Sequence, residues 1–212
     1  MVGPTNPPAA DGVSSAASLP ALRRRMRIAR RQLPRHERLA ASAALARQLA
    51  TLPAFQRAQR VAGYWPADGE IDPLPALLRA IAAGKACYLP ILSPQRPGRL
   101  QFARWWPGAP LRHNRFGIPE PVAQKSAWLD SHMLDLVILP LVAFDGSGNR
   151  LGMGGGFYDR SFAFLLNHAW RRPRLVGAAF NLQRLANLPR RVWDIPLDAV
   201  VSEQRVWAFT PL

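Results

Sequence analysis

One segment constrains the fold more than any other: the apolar run of residues 134–143, which leads directly into a glycine-rich stretch. A strand that is apolar almost throughout, rather than alternately apolar and polar, is typical of the centre of a parallel sheet. Both faces of such a strand must be covered, usually by helices. The segment therefore favours an α/β architecture.

The rest of the chain alternates strands and helices around this segment. Apolar periodicity predicts strands at 60–65, 86–91, 100–105, 175–180 and 199–202, and helices at 22–33, 34–51, 73–83 and 157–169. We therefore predict a single α/β domain over residues 19–212, with a mostly parallel sheet and helices on both faces (a Rossmann-like three-layer sandwich). Residues 1–18 are rich in Pro, Ala, Gly and Ser and are expected to form a flexible extension.

The composition is that of a globular protein, with 49% hydrophobic residues. The single cysteine, Cys87, excludes an internal disulfide and a zinc site built from cysteines, and its apolar surroundings predict a buried side chain. No apolar run approaches the ~20 residues of a membrane span, and the first residues lack the basic and hydrophobic regions of a secretory signal. We expect a cytoplasmic protein that does not act at a membrane.

The charge balance is strongly basic, at a formal +15. An excess of this kind favours anionic partners such as nucleic acid, a membrane surface or polyanionic small molecules, and a bias toward arginine codons explains it equally well. The absence of an RNA-recognition, KH or helix-turn-helix signature argues against nucleic acid as the partner.

The glycine-rich stretch gives the strongest indication of chemistry. Gly152, Gly154, Gly155 and Gly156 can adopt backbone angles closed to other residues, so main-chain N–H groups can approach a phosphate closely. Arg150 offers a fork of donors for phosphate oxygens. The stretch is neither a Walker A loop nor a dinucleotide-binding fingerprint. The alternative interpretation is a plain tight turn.

Asp159 follows the glycines and suggests a cation. A carboxylate beside phosphates repels them unless a cation lies between, and Mg²⁺ held by one carboxylate and by substrate phosphates is the usual arrangement. The glycines, Arg150 and Asp159 together thus indicate a nucleotide–Mg²⁺ site. The alternative is that Asp159 caps a helix.

The first predicted helix carries an arginine cluster. Eight arginines lie between Arg23 and Arg38, and Arg23 and Arg27 are four residues apart, so these two share one helix face. Such a face could grip a triphosphate or a nucleic-acid backbone, or it could simply be solvated.

Four blocks of the sequence recur in the order of a known family. They are Arg23-x-x-Met26-Arg27, residues 64–71 ending in Glu70-Ile71, residues 116–121, and residues 150–160. Together they resemble the 5-formyltetrahydrofolate cyclo-ligase family, also called 5,10-methenyltetrahydrofolate synthetase. The last block is long and specific, and the resemblance extends from about Leu22 to Val206.

The resemblance implies an activity and a set of site residues. The reaction would convert 5-formyltetrahydrofolate and ATP, with Mg²⁺, to 5,10-methenyltetrahydrofolate, ADP and phosphate, through phosphorylation of the formyl oxygen and attack by N10. The implied ATP-binding residues are Arg23, Arg27, Arg150, Leu151, Gly152, Met153, Gly154, Gly155, Gly156, Phe157 and Tyr158. The implied folate-binding residues are Trp65, Glu70, Phe116, Glu120 and Tyr158; the implied metal ligands are Asp159 and Asp194; the implied catalytic residues are Arg150 and Tyr158.

Two other functions stay open at this point: a divergent member of the family that binds ATP but acts on another substrate, and a basic nucleic-acid-binding module. Glu120 also has two interpretations, since it could orient the folate or be buried against Arg115. We expect the protein to be a monomer.

Overall fold

A seven-stranded sheet forms the centre of the computed structural model, which describes residues 18–167 and 172–210. The helices of this part are α1 (Leu19–Gln32), α2 (Arg35–Thr51), α3 (Pro53–Arg57), α4 (Leu74–Ala82) and α5 (Phe157–Phe162). The strands are β1 (Arg60–Ala62), β2 (Ala86–Leu92), β3 (Leu100–Arg104), β4 (Leu111–His113), β5 (Pro119–Pro121), β6 (Leu136–Pro140), β7 (Ala143–Phe144), β8 (Arg150–Leu151), β9 (Arg174–Ala178), β10 (Ala199–Val201) and β11 (Val206–Ala208).

The strand order of the large sheet is β11-β10-β9-β6-β1-β2-β3. The five inner strands run parallel, and the edge strands β3 and β11 pair antiparallel with β2 and β10. Two small antiparallel hairpins, β4–β5 and β7–β8, stand outside this sheet. The predicted α/β class with a mostly parallel sheet is confirmed.

Both faces of the sheet are covered, as the apolar central strand requires. Successive side chains of a strand point to opposite faces. Leu136 and Ile138 of β6 pack in the core formed with α2, α3 and α4, whereas Val137 and Leu139 pack in the core that contains α5. This double coverage explains why the strand has no polar residue.

The strand order reverses between β1 and β6, and this reversal positions the site. From β1 the sheet continues through β2, and from β6 it continues through β9 in the other direction. In open α/β sheets such a reversal leaves a crevice at the carboxyl ends of the strands, where ligands bind. Helix α1 packs beside this edge, because Leu22 and Met26 share a cluster with Val142, Leu151 and Leu188.

The predicted elements are present, with two notable differences. The strand predicted at 134–143 is divided into β6, which ends at Pro140 in the large sheet, and β7, which belongs to a hairpin. Helix α5 ends at Phe162 and continues only as a 3₁₀ helix, Ala163–Leu166; the Ser161 carbonyl in its last turn accepts from the Ser131 hydroxyl at 2.8 Å. The last residues of the helix predicted at 157–169, and residues 1–17 of the predicted extension, lie outside the described residues. Within the described chain, none of the helices is both long and apolar enough to cross a bilayer.

Helix α1 is held in place by a buried arginine that sequence reasoning missed. Arg30 is completely buried; its Nη2 lies 2.9 Å from Asp68 Oδ2 and 3.5 Å from Glu70 Oε1, and its Nε donates to the Asp68 carbonyl. Asp68 also accepts from Arg27 at 2.7 Å and from Arg31. One carboxylate therefore fastens three arginines of α1 to the loop between β1 and α4.

Burial raises the pKa of Glu70, and the Arg30 guanidinium only partly offsets that shift. Glu70 Oε2 accepts from the Ala67 N–H at 3.1 Å, which also favours the charged form. The carboxyl therefore costs free energy when it ionises inside the folded protein, relative to the unfolded chain.

We expect Arg30→Met to lower the free energy of unfolding by about 3 kcal/mol, because it leaves the Asp68 and Glu70 carboxylates buried beside an apolar side chain. Arg24→Met is the matched control: the same substitution, in the same helix, at an exposed position. Its effect should stay within about 0.5 kcal/mol. Urea denaturation measures both free energies of unfolding, and equal stabilities of the two variants would contradict the stabilising role of Arg30.

We also expect Glu70→Gln to gain stability relative to the parent as pH rises. In the parent, the raised pKa of Glu70 adds to the free energy of unfolding. This addition is fully present below the ordinary glutamate pKa of 4.5 and is lost as the pH rises through the higher pKa of the folded state. Glutamine does not titrate, so the difference in unfolding free energy should grow in the variant's favour over that interval. Urea titrations at a series of pH values above 4 test this, and a difference that is flat or falls with pH would refute it.

Candidate active site

The crevice at the carboxyl ends of β1 and β6 is a cavity of about 890 Å³. Tyr64 and Trp65, which follow β1, and Pro140 and Leu141, at the end of β6, lie in its wall. Every residue assigned to the site from the sequence lines this cavity except Arg27. The four sequence blocks, which lie far apart in the chain, thus all contribute to the wall of one cavity.

The glycine stretch forms the wall of the cavity nearest to α1. It begins in the β7–β8 hairpin and ends at Gly156, directly before α5. Gly154 has φ +101° and Gly156 has φ +65°, conformations that a side chain disfavours. Arg23 of α1 donates from Nε to the Gly152 carbonyl at 2.8 Å, so the helix and the loop are joined at the cavity wall.

Asp145 fixes the start of this loop, and the sequence prediction missed it. Its carboxylate is almost fully buried and accepts from the Ser147, Asn149 and Leu188 backbone N–H groups and from the Asn149 side chain. The following Gly146 completes an Asp-Gly pair, the usual sign of an Asx turn, so a local signal for this role was present. Asp145 holds the hairpin that presents Arg150.

Arg150 and Asp159 form an ion pair at the base of the loop. Arg150 Nη2 lies 2.6 Å from Asp159 Oδ1, and the Arg150 side chain is 6% exposed. Arg150 Nη1 also donates to the Ile195 carbonyl, and the Ile195 N–H donates to Asp159 Oδ1 at 3.3 Å. Both charged groups are thus oriented from the segment that carries Asp194.

The two predicted metal ligands both face the cavity. Asp194 lines it while its Oδ2 accepts from the Arg191 N–H at 2.8 Å, and Asp159 uses Oδ1 for Arg150. Each carboxylate keeps its second oxygen out of these bonds. Among residues 18–167 and 172–210, no group of three His, Cys, Asp or Glu side chains could hold a metal by itself. The donor set fits Mg²⁺ only where substrate phosphates supply the remaining oxygens.

Arg27 is placed differently from the sequence prediction. It lies outside the cavity wall and its guanidinium pairs with Asp68 at 2.7 Å. Its assignment to ATP stays a prediction.

Part of the cavity wall is apolar and aromatic. Trp65, Phe116 and Phe157 line it, and the rings of the last two meet edge to face with centroids 5.8 Å apart. Glu120 Oε1 accepts from the Leu92 N–H at 2.8 Å and from Asn114 Nδ2 at 2.9 Å. Its burial is therefore due to these partners, and the alternative interpretation that Arg115 holds it is wrong.

Two tyrosines also line the cavity: Tyr64, which is buried, and Tyr158, which is partly buried. Burial, reinforced by the charge of Glu70, raises the pKa of Tyr158 and the pKa of Tyr64 well above their usual range. Both hydroxyls therefore stay protonated at neutral pH. Tyr64 donates to the Ile71 carbonyl, so Tyr158 is the one whose hydroxyl can serve as a donor toward a ligand.

Comparison of the sequence with known proteins identifies relatives of this chain. The 5-formyltetrahydrofolate cyclo-ligase family model matches residues 15–203. The 5-formyltetrahydrofolate cyclo-ligase of Escherichia coli K12 is 43% identical over 162 residues, which cover 76% of this chain and 87% of that protein. The Haemophilus influenzae cyclo-ligase is 41% identical over 142 residues, covering 67% of this chain and 74% of that protein.

A solved structure matches the fold over nearly its whole length. The NMR structure of Aquifex aeolicus 5,10-methenyltetrahydrofolate synthetase superimposes with a TM-score of 0.74 at 32% identity, covering 90% of this chain and 92% of that one. The family that the four sequence blocks predicted is confirmed, and this chain belongs to the 5-formyltetrahydrofolate cyclo-ligase family.

Proposed function

We propose that this chain cyclises 5-formyltetrahydrofolate to 5,10-methenyltetrahydrofolate, with conversion of ATP to ADP and phosphate. The observation that carries the proposal is one cavity whose wall combines two kinds of chemistry. Glycines and Arg150 supply groups that suit phosphates, and Trp65 and Phe116 supply aromatic surface of the kind that a flat pterin needs. Membership of the cyclo-ligase family supports the same reaction.

The chemistry requires positioning more than a nucleophilic side chain. The formyl group on N5 is an amide, so its carbon is a poor electrophile and its oxygen a poor leaving group. Transfer of the γ-phosphoryl group to that oxygen yields an iminium phosphate and ADP. N10 of the same molecule then attacks the carbon, and phosphate departs as the N10 proton is lost. An enclosed cavity favours the second step by holding N10 close to the activated carbon.

The phosphate end supplies charge and donors for the transfer. We assign the backbone N–H groups of residues 152–156 and the free donors of Arg150 to the phosphate oxygens, with Arg23 beside them. Arg150 is preorganised for this role because Ile195 and Asp159 hold its guanidinium. Charge that develops during transfer then meets donors that need no reorientation.

We assign Asp159 and Asp194 to Mg²⁺ held together with the substrate phosphates, since both carboxylates face the cavity beside the loop. When bound, the ion neutralises phosphate charge and thereby favours phosphoryl transfer. Each carboxylate is oriented from the chain itself, Asp159 by Arg150 and Asp194 by the Arg191 N–H.

The folate end orients the formyl group. Tyr158 lies where the glycine loop enters α5 and keeps its proton, so we assign its hydroxyl as a donor toward the formyl or phosphoryl oxygen. Glu70, oriented by Arg30 and the Ala67 N–H, is assigned to polar N–H groups of the pterin. Trp65, Phe116 and Glu120 complete the folate wall.

The remaining assignments belong to the same proposal. We infer a single catalytic domain over residues 19–212 that acts as a monomer in the cytoplasm, with residues 1–18 as an extension. The family model begins at residue 15, which supports this boundary. Ser18, at the boundary, is positioned to cap α1, because its hydroxyl accepts from the Ala21 N–H at 3.4 Å.

The reaction is tested by mixing the full chain with 5-formyltetrahydrofolate, ATP and Mg²⁺ and following the near-ultraviolet absorbance of the methenyl product. Absorbance should grow only when all three components are present. ATP binding without product would indicate the divergent family member instead.

We expect Asp159→Asn to lower turnover by more than roughly 100-fold, because loss of a residue that only orients a metal ligand already costs up to about that much. The Mg²⁺ concentration needed for half-maximal rate should rise as well. Asp130→Asn is the matched control, because its carboxylate pairs at 3.3 Å with an exposed arginine, Arg96, away from the cavity. Normal turnover with unchanged Mg²⁺ demand in Asp159→Asn would refute the metal assignment.

A chain that starts at Ser18 after its initiator methionine should keep the parent's kcat and its KM for ATP, since it retains α1 and its cap. Steady-state kinetics and a thermal melt of the shortened chain check this. A large loss of turnover at unchanged melting temperature would assign the extension a role in the reaction.

A further inference from the structure

Arg160 of α5 connects two loops that come from distant parts of the chain. The residue is exposed, yet its Nε donates to the Gly98 carbonyl at 2.9 Å and its Nη2 donates to the Gly155 carbonyl. Gly98 belongs to the loop between β2 and β3, whereas Gly155 belongs to the glycine stretch. The reaction proposed above assigns no task to this arginine.

The backbone around Arg160 is shaped to admit its guanidinium. Gly98 has φ +79° and Gly156 has φ +65°, conformations that a side chain disfavours. A Cβ atom at Gly98 would lie 2.7 Å from Arg160 Nε, and one at Gly156 would lie 2.6 Å from Arg160 Nη1. The guanidinium also lies over the Phe157 ring, with 5.5 Å between Cζ and the ring centroid. These neighbours hold the guanidinium in one place although the residue is exposed.

The loop that carries Gly98 is itself attached to α5. Ser161, the residue after Arg160, accepts from the Leu100 N–H through its hydroxyl oxygen at 2.8 Å. Two successive residues of α5 therefore bond to the start of β3 and the loop before it. This attachment gives Arg160 a fixed support from which to hold the glycine stretch.

The bond to the Gly155 carbonyl determines the direction of the next N–H group. A peptide unit is planar and trans, so its C=O and N–H point in opposite directions. Because the Gly155 carbonyl is turned toward Arg160, the Gly156 N–H is turned away from that guanidinium. Among residues 18–167 and 172–210, no acceptor takes the Gly156 N–H, and Gly156 lines the cavity. This N–H is therefore available to a ligand.

We propose that Arg160 is a positioning residue for the phosphate-binding backbone: by holding the Gly155 carbonyl, it keeps the Gly156 N–H in the orientation that a nucleotide phosphate requires. This inference rests on the proposed function, which assigns the N–H groups of residues 152–156 to phosphate oxygens. The peptide between Gly155 and Gly156 has a glycine on each side, so little else resists its rotation. A rotated peptide would present its carbonyl oxygen to the phosphates and repel them.

The first test changes Arg160 itself in the full chain. We expect Arg160→Gln to lower kcat about 30-fold, somewhat less than the roughly 100-fold that a 1 Å misplacement can cost. The KM for ATP should rise about fivefold, and the KM for 5-formyltetrahydrofolate should stay within about twofold, because the peptide faces the nucleotide. Arg96→Gln is the matched control, since Arg96 is an exposed arginine of the same β2–β3 loop that pairs with Asp130 and does not line the cavity. It should behave as the parent.

Arg160→Lys separates position from charge. Lysine keeps the positive charge but lacks the planar fork that reaches two carbonyls at once. We therefore expect its kcat to stay within about threefold of that of Arg160→Gln. Recovery of the parental kcat in Arg160→Lys would show that charge alone suffices and would overturn the positioning role.

Gly98→Ala displaces the guanidinium and leaves Arg160 chemically intact. We expect it to lower kcat about fivefold, and to have no further effect when combined with Arg160→Gln. Gly84→Ala is the matched control, because Gly84 has the same φ of +79° but no atom within 4 Å of the added Cβ. Thermal melts establish that both alanine variants are folded in the assay. Parental kinetics in Gly98→Ala, beside an impaired Arg160→Gln, would assign Arg160 to direct contact with substrate and overturn the inference.

Nucleotide binding distinguishes failure of this inference from failure of the proposed function. Calorimetric titration of the parent and of Arg160→Gln with the β,γ-imido analogue of ATP and Mg²⁺ needs no folate and no turnover. Weaker binding by Arg160→Gln supports the inference, and its occurrence in a chain that forms no methenyl product would overturn the proposed reaction alone. Methenyl product from the parent, together with unchanged kcat and analogue affinity in Arg160→Gln, would overturn the inference alone.

Discussion

The ion pairs between Asp68 and α1 determine how the whole cavity is assembled. Asp68 lies in the loop after β1, at positive φ, and pairs with Arg27, Arg30 and Arg31 of α1, which are 41, 38 and 37 residues earlier in the chain. Arg30 is completely buried. A displacement of α1 would therefore leave the Asp68 and Glu70 carboxylates without this cationic partner, which is costly for partly buried charges. The position of α1 in turn places Arg23 against the Gly152 carbonyl. One buried charge cluster thus joins the loop after β1 to the glycine loop.

The acidic residues of this basic chain are used mainly as internal clamps. Asp68 holds α1, Asp145 holds the glycine loop, and Asp198 accepts from Arg174 and from the Leu175 N–H beside β9. Since arginines far outnumber acids, many arginines find no carboxylate partner in the described chain. Arg99, Arg112 and Arg115, which line a smaller cavity of about 430 Å³ beside the main one, are grouped rather than scattered. Because a concave wall focuses the field of charges of one sign, such a group produces a stronger local positive potential than a uniformly basic surface does.

How far the sequence predicted this structure depends on the range of the interaction involved. The central strand, the alternation and the glycine loop follow from local patterns, and these were predicted correctly apart from the short α5 and the division of residues 134–143 into β6 and β7. The roles of Asp68 and Arg30 depend on residues 38 apart that meet only after α1 packs, so no local pattern reveals the pair. Asp145 and Asp68 each precede a glycine, and this Asp-Gly signal identifies a turn but not the partner it will hold. Of the two alternatives for Glu120, the one with Arg115 fails for the same reason: Arg115 is nearer in sequence, but Asn114 and the Leu92 N–H are the groups that bond the carboxylate.

The Arg150–Asp159 pair shows how the phosphate end can stay folded without a ligand. A guanidinium that is 6% exposed would be costly if left alone, and Asp159 at 2.6 Å neutralises it. Under the proposed function, incoming phosphates offer Arg150 a stronger, multiply charged partner. Asp159 then loses part of its compensation and would face the same phosphates as a bare carboxylate, which is unfavourable unless a cation enters with them. The resting ion pair therefore favours binding of the nucleotide and its cation together over binding of either one alone.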